Sequence, residues 1–152
     1  MELEGRGGNL QLAENYLSQA ESLAPSSDYV LNANCNLKYK LATSSSLYEE
    51  AFELYEEANL QAQKQILAIG KEEPYIYQIY CVGRFQFIRK WITDKTQKKK
   101  ELDELRGTIK VALTFHPFND KLKVSSDAIN RAYVQLGIDA DLEDPDIPDF
   151  MK

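Results

Sequence analysis

No stretch of this 152-residue chain approaches the roughly 20 consecutive apolar residues needed to cross a bilayer. The opening Met1-Glu2-Leu3-Glu4-Gly5-Arg6-Gly7-Gly8 has neither the basic nor the apolar part of a secretion signal. No membrane partner is expected, and a cytoplasmic address follows. Cysteine is scarce: Cys35 and Cys81 lie far apart without Cys-x-x-Cys spacing, so buried free thiols are expected ahead of a disulfide. Histidine is scarcer still. His116 stands alone directly before Pro117, where a favourable interaction with a helix end accounts for it. A single histidine, no glycine loop able to cradle phosphate and no metal-ligand spacing argue against an enzyme, a metal or a cofactor. With 7 glycines and 5 prolines, the chain breakers are few. They punctuate long stretches and do not alternate with short strand-like runs, which predicts an all-helical fold.

Charge is present in quantity and unevenly placed. The formal net charge is −6. Residues 84 to 100 carry Arg84, Arg89, Lys90, Lys95, Lys98, Lys99 and Lys100 against Asp94 alone, while 139 to 152 carry Asp139, Asp141, Glu143, Asp144, Asp146 and Asp149 against Lys152. A further acidic ridge comprises Glu49, Glu50, Glu53, Glu56 and Glu57. The chain is electrically polar along its length.

Apolar residues recur at helical spacing in six segments. Residues 9 to 24 carry Leu10, Ala13, Tyr16, Leu17, Ala20 and Leu23 and stop before Pro25; 29 to 43 follow a cap supplied by Ser26, Ser27 and Asp28. The third helix runs from about 47 to 69 and ends at Gly70, and Pro74 opens a fourth to about 92, with apolar and aromatic residues around much of its axis. Such a helix is expected to be buried on two sides. A polar loop over 93 to 100 grades into the fifth, which ends at Pro117, and a sixth spans about 119 to 136 before Gly137. The organisation expected is a flexible N-terminus over 1–8, one helical domain over 9–137, and an acidic, proline-containing tail over 138–152 with no periodicity.

Small residues recur seven apart within these helices. Ala13-x3-Leu17-x2-Ala20-x4-Pro25 is echoed by Ala51-x3-Tyr55-x2-Ala58 and by Leu105-x3-Ile109-x2-Ala112-x4-Pro117. An alanine one turn from a large apolar residue lets a neighbouring helix approach closely. The pattern resembles the tetratricopeptide-repeat family over residues 8 to 137, with units more widely spaced than the family's 34 residues. The resemblance implies antiparallel helix pairs stacked as a short right-handed α-solenoid of about six helices, acting as a protein-binding scaffold. Because the repeat begins on a second helix, a fragment of a longer repeat protein is also expected.

In the family, ligands lie in a concave groove lined by the first helix of each pair. With Leu31 as anchor, the resemblance assigns Tyr29, Asn32, Asn36 and Tyr39 to that groove; with Ile79 as anchor, it assigns Tyr77, Tyr80, Arg84 and Phe87. The family's basic clamp for a chaperone tail has no counterpart at matching positions. The expected partner is another protein or peptide, with a second copy or a neighbouring effector domain as further readings. The lysines from 95 to 100, with Phe85, Phe87 and Trp91 nearby, could meet nucleic acid, which the overall acidity disfavours.

Overall fold

Local stop and start signals divide the middle of the chain into five helices. A computed structural model describes Leu12, Asn15, Tyr16, Gln19 and residues 27–137 and 147–152. Among them are α1 (Asp28–Ser44), α2 (Tyr48–Ile69), α3 (Pro74–Trp91), α4 (Lys95–Phe115) and α5 (Asp120–Gln135), then a single 3-10 turn at Asp149–Met151. No strand occurs among the described residues. The helix expected over 9 to 24 falls outside them except for the four isolated residues, each helical, so the described count is five and not about six.

Side-chain caps decide three of the starts. The Glu73 carboxylate accepts from the Tyr75 amide at 3.1 Å, with Pro74 in the first turn of α3, where its missing N–H costs nothing. Asn119 Oδ1 accepts from the Leu122 amide at 3.0 Å to open α5. Asp94 Oδ2 accepts from the Gln97 amide at 2.8 Å, so α4 begins at Lys95. The lysines of 95 to 100 are therefore helical, where a loop was expected. The hydroxyl cap expected for α1 is not made: Ser27 is the cap residue but its side chain accepts nothing. Asp28 instead accepts from Gln65 at 3.4 Å.

Cross-helix contacts give the topology. Leu31, Asn32, Cys35 and Tyr39 of α1 meet Gln61, Gln65, Ala58 and Asn59 of α2, so the pair is antiparallel. Tyr48 meets Trp91 and Gln63 meets Tyr80, so α2 and α3 are antiparallel too. Arg84 meets Glu101 and Glu104 while Gln78 reaches Asn119, which sets α4 against α3. Between α1 and α3 the numbers rise together: Tyr39 lies against Gly83, and the Trp91 indole donates to the Ala42 carbonyl at 3.3 Å. These two helices are parallel. Helix α3 touches each of the other four, α1 also packs on α2, and α5 packs on α4.

Small residues make these approaches close. A Cβ on Gly83 would lie 2.3 Å from Tyr39 Cγ, so only glycine admits the Tyr39 ring between α1 and α3. Ala51, Ala58 and Ala62 line the buried face of α2, and Ala112 does the same for α4. The core they bound includes Tyr39, Tyr55, Tyr80, Phe87, Ile88, Leu102, Leu105 and Ile129, with the Tyr55 and Phe87 rings stacked at 3.8 Å. Phe150 and Met151, in the acidic, proline-containing tail, lie against this core, with the Phe150 ring 5.8 Å from that of Tyr80. Residues 138–146 of that tail, and the N-terminus over 1–8, lie outside the described residues.

Candidate functional site

A helix that carries apolar residues round most of its axis has no polar face to announce which side meets solvent, and α3 is such a helix. Its side toward α2 and α4 holds Tyr77, Tyr80, Arg84 and Phe87, all buried. The Arg84 guanidinium is 2% exposed and every nitrogen is used. Nε donates to the Tyr55 hydroxyl at 2.9 Å, Nη1 to the Tyr80 hydroxyl at 2.8 Å and to Glu104 Oε1 at 2.9 Å, and Nη2 to Glu101 Oε2. Burial opposes its charge, but the oxygens of Tyr55, Tyr80, Glu104 and Glu101 outweigh that and push its pKa well above the usual arginine value. Arg84 is therefore a permanent cation that binds α2, α3 and α4 together.

The eight residues assigned to a groove on family grounds thus divide. Tyr77, Tyr80, Arg84 and Phe87 are enclosed, as is Tyr39, whose hydroxyl donates to Asn59 Oδ1 at 2.5 Å. Asn32 is buried and accepts from Gln65 at 3.2 Å. These six offer no surface on which a ligand could rest. Tyr29, 79% exposed, and Asn36, half-buried, face outward.

The open surface of α3 lies two residues away in register, about 200° round the helix. Tyr75, Gln78, Ile79 and Val82 line a cavity of about 380 Å³, with Asn36 contributed by α1 and Asp120, Lys121, Val124 and Ser125 by α5. Gln78 is fixed by its bond to Asn119 at 3.2 Å. Tyr75, Val82 and Val124 are large apolar side chains left exposed there. The sequence reading missed Tyr75, Gln78, Val82 and all of α5. No sequence signal fixes this rotation, because apolar residues surround most of the axis of α3.

Other titratable groups are spoken for by the packing. Cys35 and Cys81 are free and buried, and burial pushes both thiols up to about 12, so neither is a ready nucleophile. The His116 ring closes the end of α4, where its Nε2 lies 2.6 Å from the Gly70 carbonyl and donates to it, edge-on to Tyr77. Among the described residues no three His, Cys, Asp or Glu side chains gather as a metal site, and no helix is long and apolar enough to cross a membrane.

The chain was compared with models of known protein families, with curated proteins and with solved structures, and none of them matches. The functional reading stands on the geometry of the groove.

The aromatics beside the basic stretch, where nucleic acid was the disfavoured reading, are held by neighbouring groups. Phe87 is sealed by Tyr55, the Trp91 indole is tied to Ala42 and packed against Tyr48, and the Phe85 face is covered by the Arg89 guanidinium, 5.7 Å from the ring centre. Of the three, Phe87 is fully buried, while Phe85 and Trp91 are half-buried.

Proposed function

We propose that this chain is a protein-interaction module of tetratricopeptide type, a short right-handed stack that holds a peptide or helix of another protein in the groove along α1, α3 and α5. The observation that carries this reading is the groove itself: exposed Tyr75, Val82 and Val124 surround a cavity of about 380 Å³ with the amides of Asn36 and Gln78 at its edge. Apolar side chains give a partner contact area, and the two amides can bond to its backbone. The contact pattern supports the stack: α1 packs on α3 and α3 on α5, while α2 bridges the first two and α4 the last two. Repeats of helix pairs bury a shared core in this way.

The test is selection of peptides from a random 16-residue library on the purified protein. Enriched sequences are then measured against a Val82→Asp, Val124→Asp variant that retains the helical circular dichroism of the parent. Peptides that bind the parent and lose tenfold or more in affinity with the variant uphold the groove. Failure to enrich any peptide, or equal affinity for both proteins, removes it.

A further inference from the structure

The groove does not stop at Val82. On α3 the stripe Tyr75, Gln78, Val82 continues to Phe85 and Arg89, and on α5 the stripe Lys121, Val124 continues to Ala128, Arg131 and Gln135, each at i, i+3, i+7, i+10 and i+14. The two helices rise together along this seam. At its far end α4 contributes Lys98 and Leu102, and a second cavity of about 410 Å³ opens.

The chemistry changes along the seam. The floor of the second cavity is apolar, with Ile88 and Leu102 buried and Ala132 and Leu136 half-buried. Around it stand Arg89, Lys98 and Arg131, one from each of three helices. None has a carboxylate within ion-pair reach among the described residues. Of the neighbouring cations, Arg84 holds two glutamates and Lys99 meets Asp103 at 2.8 Å. In a chain of net charge −6 with 24 acidic residues, these three cations from three helices line one cavity with an apolar floor. An anion seated in the cavity would be attracted by all three.

We infer that this end of the groove receives carboxylates, and that the partner is an amphipathic segment of another protein with one apolar and one acidic half. The inference rests on the peptide reading of the groove and adds its polarity. Apolar side chains lie along Tyr75 to Val82, and glutamates or aspartates lie against Arg89, Lys98 and Arg131. From residue 75 to 89 the seam is about 21 Å long, matching about four turns of a partner helix. An apolar floor accepts leucine or isoleucine between the charges, while stacking of bases would need open aromatic faces, and Phe87 is stacked on Tyr55 and Arg89 lies over Phe85.

The probe is a fluorescein-labelled synthetic helix with leucines at i, i+3 and i+7 in its first half and glutamates in its second, followed by fluorescence anisotropy with the full chain. Its control replaces every glutamate with glutamine. The variant Arg89→Gln, Lys98→Gln, Arg131→Gln is compared with Lys40→Gln, Lys64→Gln, Lys123→Gln, which removes the same charge from exposed positions elsewhere. The expected result is a loss of tenfold or more with the first variant, less than twofold with the second, and weak binding of the glutamine control. Equal loss in both variants, or equal binding of the two peptides, overturns the inference. If Val82→Asp, Val124→Asp abolishes binding while the groove-cation variant does not, the peptide groove survives and only its acidic specificity falls. If neither variant changes binding, both readings fall. Displacement of the peptide by a single-stranded oligodeoxythymidine, with loss of that oligonucleotide's binding in the groove-cation variant, assigns the site to nucleic acid instead. Tenfold tighter peptide binding after neutralising Asp139, Asp141, Glu143, Asp144 and Asp146 to their amides assigns it to the chain's own acidic segment.

Discussion

The tightest constraint at the scale of single residues is Gly83. The atoms that a Cβ there would strike are the Cβ, Cγ and Cδ2 of Tyr39, close to the α1 backbone, so the ring cannot simply swing aside. Alanine is the better helix former by about 1 kcal/mol. Overpacking against Tyr39 exceeds that, and Gly83→Ala is expected to lower stability by about 1–3 kcal/mol in urea unfolding followed by circular dichroism. An unchanged or raised midpoint would mean that α1 and α3 have room to separate. The same residue shows what could be read in advance. A lone glycine between Val82 and Arg84 marks a close helix approach from sequence alone, but not which neighbour makes it. Arg84 was legible as a residue of consequence and not as a buried one. Nothing in a charged letter announces that Tyr80 of its own helix, Tyr55 of α2 and Glu101 and Glu104 of α4 will converge on it.

Individual helices were legible in proportion to the clarity of their ends. Pro74, Gly70 and Pro117 place boundaries that the structure keeps to within a residue or two, because a missing N–H or a flexible backbone acts locally. The start of α4 was misjudged because Lys95 to Lys100 look like solvated loop. The deciding residue is Asp94, whose carboxylate takes the Gln97 amide and faces the positive end of the helix. Asp94→Ala is expected to cost about 0.5–2 kcal/mol of stability. Hydrogen exchange should locate the loss, with protection falling at Thr96 to Lys99 while α5 keeps its own; uniform loss across the chain would refute a local cap. The face of α3 was not legible for a different reason. Its apolar residues surround the axis, so periodicity establishes a helix and leaves its rotation open.

At the scale of the whole molecule, the parallel seam of α3 and α5 was beyond the sequence reading, since it depends on how helix pairs stack and not on any one pair. The buried acids of the core, by contrast, give the molecule a predictable response to alkali. Burial raises Cys35 and Cys81 from 9.0 to about 12, and pushes Tyr39, Tyr55 and Tyr80 above their usual range. Above pH 9 the unfolded chain loses these protons while the folded one keeps them, so the unfolded state binds fewer protons and stability declines as pH rises. Stability is expected to hold below about pH 9 and to fall progressively towards pH 12, each thiol adding up to about 1.4 kcal/mol per pH unit to the slope. Cys81→Ala should flatten that slope whatever it does to stability at neutral pH. A slope unchanged in the variant would show that Cys81 ionises without unfolding.

The contact of Phe150 with Tyr80 joins residues 70 positions apart, whereas the bond from Trp91 to Ala42 between helices spans 49. Helices that meet their near neighbours can assemble quickly, since each closure restricts little chain. The turn at Asp149–Met151 closes a longer loop than that bond does, so it is expected to dock after the helices have met. Such a late contact acts chiefly as a brake on unfolding, and it lengthens the lifetime of the folded state without hastening its formation.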